Sequence, residues 1–214
     1  MSPFIQKSNQ WIQQSILKNI FFSKVETNQF ELDGFNLYLS NLAWMFSKNF
    51  ETIQLSMQCA SYGQLHELAH FYKEKQTEEQ GHDVWALNDL RARGIEDPET
   101  FVAQNIKPQS RRLIEDIQEQ VRKHPIAMLS YMFFLEYFTI QVGRELFAKL
   151  QRNLGIRSDQ YTSILNHVEL DQAHTQEDLE MIERFCKTPE DEQVLLHVLD
   201  QTAHNVNEFL NAFA

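Results

Sequence analysis

HPIAMLSYMFFLEYFTIQVGR, residues 124–144, holds one charged side chain, Glu136, between His124 and Arg144. The apolar run from Ile126 to Val142 is too long for an ordinary strand and approaches the length of a bilayer span, but a carboxylate at its middle opposes insertion into lipid. It reads as a buried core helix. Pro125 suits the first turn, where its missing N–H costs nothing, and Gly155 suits the stop. A lone carboxylate in such surroundings costs several kcal/mol unless a cation, a donor or a proton offsets it. A positive partner is therefore expected beside Glu136.

Outward from this segment, breakers and a 3.6-residue apolar period predict about seven helices. Their approximate bounds are Ser2 to Lys24, Glu31 to Tyr62, Gln64 to Arg93, Asp97 to Lys123 with an interruption near Pro108, Pro125 to Gly155, Ser158 to just before Pro189, and from there nearly to Ala214. With only 6 Gly and 5 Pro in 214 residues, the turn signals of an all-β chain are missing. The expected architecture is all-α: a single antiparallel helical domain over residues 1–214, with no repeat or low-complexity tract.

Hydrophobic residues make up 43% of the chain and Phe alone counts 16, enough for a thick core with an apolar cavity. A net charge of −11 and scattered Lys and Arg argue against nucleic acid as a partner. Cys59 and Cys186 are too few and too far apart for a disulfide framework or a thiolate metal site, and they fit a reducing cytoplasm, the expected location. Residues Met1 to Gln10 lack the charged start and apolar stretch of a signal peptide, and no membrane span is expected. Oligomeric state is left open, a homodimer included.

Three further segments carry candidate chemistry. His167, Asp171 and His174 stand four and three residues apart, so on a helix they fall within about 60° of one face. Imidazoles with a carboxylate suit iron, manganese or zinc better than calcium or copper(I). In Glu78-Glu79-Gln80-Gly81-His82, Glu78 and Glu79 precede His82 by four and three residues, and spacing alone does not choose between them. A solvated charged face through Lys73, Glu74, Lys75 and Glu78 is the bland alternative there. Taken together, Glu78 or Glu79, His82, Glu136, His167, Asp171 and His174 give three imidazoles and three carboxylates from three helices, enough for two metals in a bundle core.

These residues resemble the heme-oxygenase-like diiron oxidases, whose members place a Glu and a His on one core helix, a Glu on the next, and His-x-x-x-Asp-x-x-His on a third. The counterparts are Glu78 with His82, then Glu136, then His167, Asp171 and His174. The 31 positions from Glu136 to His167 also match. One departure is the short Glu78-to-His82 interval, which leaves Glu79 as the alternative ligand. The resemblance covers about residues 60 to 185. It implies a heme-oxygenase-like bundle without heme, two iron ions with manganese as the substitute, and oxidation by O2 of a small organic substrate resembling an amino acid or a fatty acid. Glu136 is the expected bridge and central catalytic carboxylate, beside a dry pocket lined by aromatic residues such as Trp85, Phe133 and Phe134.

Three rival readings carry less weight. His66-Glu67-Leu68-Ala69-His70 has the His-Glu-x-x-His form of zinc proteases, but on a continuous helix it points away from His82 and no third ligand follows. A ferritin-like iron store has no place for the His167 triad. A non-catalytic binding or regulatory bundle would leave these acids and histidines facing water.

Overall fold

The computed structural model describes residues 2–214. Among these the secondary structure is helical throughout, with ten α-helices: α1 Pro3–Gln14, α2 Ile20–Glu26, α3 Leu32–Tyr62, α4 His66–Glu78, α5 His82–Ala92, α6 Pro98–Gln104, α7 Pro108–Lys123, α8 Ala127–Leu154, α9 Thr162–Phe185 and α10 Pro189–Asn211. Two short 3₁₀ turns cover Ile16–Lys18 and Ser158–Gln160.

The increase over about seven has local causes. The first expected helix breaks at Ser15 to Asn19, where the Asn19 side chain accepts a hydrogen bond from the Phe22 N–H at 3.0 Å and starts α2 afresh. The third breaks at Gly81, whose φ of 88° lies in the left-handed region. This break matters most for the site, because it puts Glu79 at the end of α4 and His82 at the start of α5. The interruption expected near Pro108 separates α6 from α7.

The long helix α8 packs along α9, while α3 covers α4 and α5, with α7 and α10 completing the enclosure. Gly143 permits the close α8–α9 approach: a Cβ built there would lie 2.5 Å from Val168 Cγ2. Phe35, Leu39, Phe133 and Phe134 are wholly buried, each contributing about 1.5–3 kcal/mol of transfer free energy. No described helix is long and apolar enough to cross a membrane.

Candidate metal centre

Two triads of donor groups face one another across the interior. Glu79, His82 and His167 form one, and Glu136, Asp171 and His174 the other; within each, one ligating atom per residue lies within 4.8 Å of the others. Four helices contribute: Glu79 caps the C-terminus of α4, α5 starts at His82, α8 carries Glu136, and α9 carries His167, Asp171 and His174 on one face.

The first triad is held firmly. His82 Nδ1 lies 3.0 Å from Glu79 Oε2. His167 Nδ1 donates to the Ser163 carbonyl at 2.5 Å, which fixes the ring and leaves Nε2 with a free lone pair. Aromatic planes brace both imidazoles: Trp85 stacks on His82 at 4.1 Å between centroids, and Phe46 on His167 at 4.6 Å. Burial pushes the Glu79 carboxyl up, but its hydrogen bond with His82 and the neighbouring imidazoles outweigh that and leave it below its ordinary range.

The second triad is looser and more acidic. His174 Nδ1 is 3.7 Å from Asp171 Oδ1 and 3.9 Å from Glu136 Oε1. Burial, then the nearby Asp178 and Asp171, push the Glu136 carboxyl well above its usual range despite the opposing charge of Lys75. Asp171 is also raised by burial, against the pull of His174 and His167.

Glu136 Oε2, His174 Nδ1 and both Asp178 oxygens are buried without a hydrogen-bond partner. Such atoms are costly to leave unpaired. The donors are hard oxygens and imidazole nitrogens, the set that suits iron or manganese, and a divalent cation would satisfy the orphaned atoms of Glu136 and His174. The residues present therefore fit a pair of such ions.

Not every candidate joins these groups. Glu78, half exposed, turns toward the rim, 3.1 Å from Lys75 Nζ and 3.5 Å from His174 Nε2, while Glu79 reaches inward. The reason is the break at Gly81: a continuous helix would let residues four apart share a face, and the turn instead brings Glu79 over His82. His66, Glu67 and His70 lie on the exposed face of α4, with His70 3.4 Å from Glu74 and Glu67 paired with Arg184. Two interior residues escaped the sequence reading. Asp178 extends the His167, Asp171, His174 face by another four residues, a signal that was available. Lys75, assigned to a solvated face, is 3% exposed.

A cavity of about 120 Å³ opens beside the triads, with Glu79, Glu136, His167 and Asp171 at its polar end and side chains such as Leu42, Met45, Met132 and Phe209 along its walls. Its aromatic lining differs from the expected one. Phe133 packs on the other flank of α8 against Phe4 and Tyr137, Phe134 is wholly buried in the core, and Trp85 serves the His82 ring; Phe46 and Phe138 line the space instead.

Comparison with known proteins agrees with this fold. The family described as "Iron-containing redox enzyme" matches residues 42–204. A solved structure from Shewanella denitrificans OS217, described as a domain of unknown function with a heme oxygenase-like fold, superposes with a TM-score of 0.84 at 19% identity, covering 97% of this chain and 88% of that one. No curated protein matches. With the match spanning most of the chain and the fold shared end to end, this protein belongs to the iron-containing redox enzymes of heme-oxygenase-like fold.

Proposed function

We propose that this chain is a non-heme dinuclear iron oxidase or oxygenase that uses O2 to oxidise a small organic substrate. The observation that carries this reading is the pairing of two buried donor triads, with orphaned polar atoms, at the head of an apolar cavity. Glu79, His82 and His167 would hold one ion, and Glu136, Asp171 and His174 the other, with Glu79 taking the ligand position in preference to Glu78. When bound, two ferrous ions supply the electrons that reduce O2, which no side chain here provides.

The protein's own contribution is positioning and exclusion of water. The Ser163 carbonyl, Trp85 and Phe46 fix the His82 and His167 rings, so the donors of the first triad need little rearrangement. Apolar walls keep a substrate body dry and oriented toward the carboxylate end. The cavity favours a molecule with an apolar body, an acyl chain or a hydrophobic amino acid, over a highly charged one. Manganese is the alternative metal.

The test is anaerobic loading with Fe(II), metal analysis, and then O2 uptake with and without candidate fatty and amino acids. Two irons per chain and substrate-stimulated uptake are expected. Failure to retain iron or manganese would favour a non-catalytic binding bundle.

A further inference from the structure

Lys75 is a buried cation linked through Glu78 to the second triad of the proposed centre. Lysine is almost never fully buried without partners. Its Nζ lies 2.6 Å from Glu177 Oε2 and 3.1 Å from Glu78 Oε2, and the same Glu78 oxygen lies 3.5 Å from His174 Nε2. One carboxylate thus ties the ammonium to a donor of the second triad. Lys75 also lines both the inner cavity, whose polar end carries Glu79 and His167 as well as Glu136 and Asp171, and the open surface cleft between α4 and α9, where Glu74, Glu78, Glu177 and Glu180 gather. Its side chain is the partition between the two spaces.

Glu177 and Glu78 are each about half exposed and can be solvated by water. The carboxylates without such recourse are Glu136 and Asp178, both deep in the interior beside Lys75. The first triad differs: its carboxylate is already partnered by His82, and its rings are braced by Trp85, Phe46 and the Ser163 carbonyl. Through Glu78, the ammonium is linked to His174 of the second triad.

We infer that Lys75 makes the two metal positions unequal: the Glu79, His82 and His167 half takes a divalent cation first and tightly, whereas the Glu136, Asp171 and His174 half takes its cation weakly, against a resident ammonium. Like charges in a partly buried site repel far more strongly than in water, so removing the ammonium tightens the second position. The inference rests on the dinuclear reading above, and makes Lys75 a residue that sets the order and strength of loading.

An anaerobic Mn(II) titration of the full chain, with free Mn(II) read by electron paramagnetic resonance, tests it. Wild type should show two classes of site differing at least about tenfold in Kd. Lys75→Met should tighten the weak class by about tenfold or more and leave the tight class unchanged, while Lys75→Arg, which keeps the charge, should retain the wild-type separation. Lys75→Gln, with a donor for Glu177, replaces the Met variant should that one not fold. His82→Ala should remove the tight class. Two equal classes in wild type, or a weak class unaffected by loss of the ammonium, would overturn the role of Lys75 and leave the dinuclear centre standing. Absence of Mn(II) binding altogether would overturn both.

Discussion

Asp89 of α5 holds Ser163 at the start of α9: its Oδ2 accepts from the Ser163 N–H at 2.9 Å and from Ser163 Oγ at 2.6 Å. Its Oδ1 accepts from the Thr162 N–H at 2.8 Å and Thr162 Oγ1 at 2.6 Å. A buried carboxylate thereby satisfies the free N–H groups of a helix start and faces the positive end of its dipole. The same Ser163 presents its carbonyl to His167, and Asp89 stands two turns after His82 on α5. One side chain links the helices that carry the two imidazoles of the first triad. Asp89→Ala should cost about 2–4 kcal/mol in urea unfolding and weaken Mn(II) binding at the tight position, with Asp89→Asn milder in both. An Asp89→Ala protein of unchanged stability would refute the clamp.

A second constraint on the centre is Gly143. With Val168 Cγ2 only 2.5 Å from a Cβ built there, Gly143→Ala must push α8 from α9 or rotate Val168. These helices carry Glu136, Asp171 and His174, and α9 also carries His167 next to Val168, so the shift reaches both triads. A loss of about 1–3 kcal/mol is expected, together with weaker binding at both metal positions. Thermal unfolding with and without Mn(II) separates the two effects.

Much of this was legible before any coordinates. The helical class followed from scarce Gly and Pro, and the burial of Glu136 from its apolar surroundings between His124 and Arg144. The face shared by His167, Asp171 and His174 followed from helical spacing because α9 runs unbroken through it. Spacing failed where the helix did: Gly81 takes a left-handed conformation, and a rule for residues four apart does not survive that turn. Lys75 was hidden for a different reason. A charged run in a sequence looks solvated, and only tertiary packing buries this one member of it, with Glu177 of α9 on its ammonium.

The choice between the two adjacent glutamates is open to direct test. Glu79→Gln replaces the carboxylate beside His82 Nδ1 with a neutral amide and takes a charge from the first triad, so binding at the tight position should fall by one to two orders of magnitude, about 1.4–2.8 kcal/mol. Glu78→Gln removes a rim carboxylate that pairs with Lys75 and approaches His174, and should leave the tight position unaltered. Isothermal titration of both variants decides it. The reverse pattern would return the ligand role to Glu78.

Acidity gives the last test, in the metal-free protein. Burial is the main force raising the Asp178 carboxyl from 3.8 to about 7, against the neighbouring Glu136 carboxyl and the charges of Lys75 and His174. Burial also raises the Glu136 carboxyl well above its usual range, with the charges of Asp178 and Asp171 adding to it. A group that binds its proton more tightly folded than unfolded stabilises the fold at low pH and loses that contribution as pH climbs through its folded value. The Tm of metal-free protein should therefore fall between about pH 4 and 7 for Asp178. His174, raised mainly by Asp171, adds the same sign above its ordinary 6.5. The lowered Glu79 opposes them only at pH near or below its ordinary 4.5. Bound cations replace these protons, so the Tm gain on adding Mn(II) should be larger at pH 7.5 than at 5.5. Asp178→Asn should flatten the metal-free slope. A metal-free Tm that rises over this interval would mean that the interior carboxyls do not hold protons in place of cations.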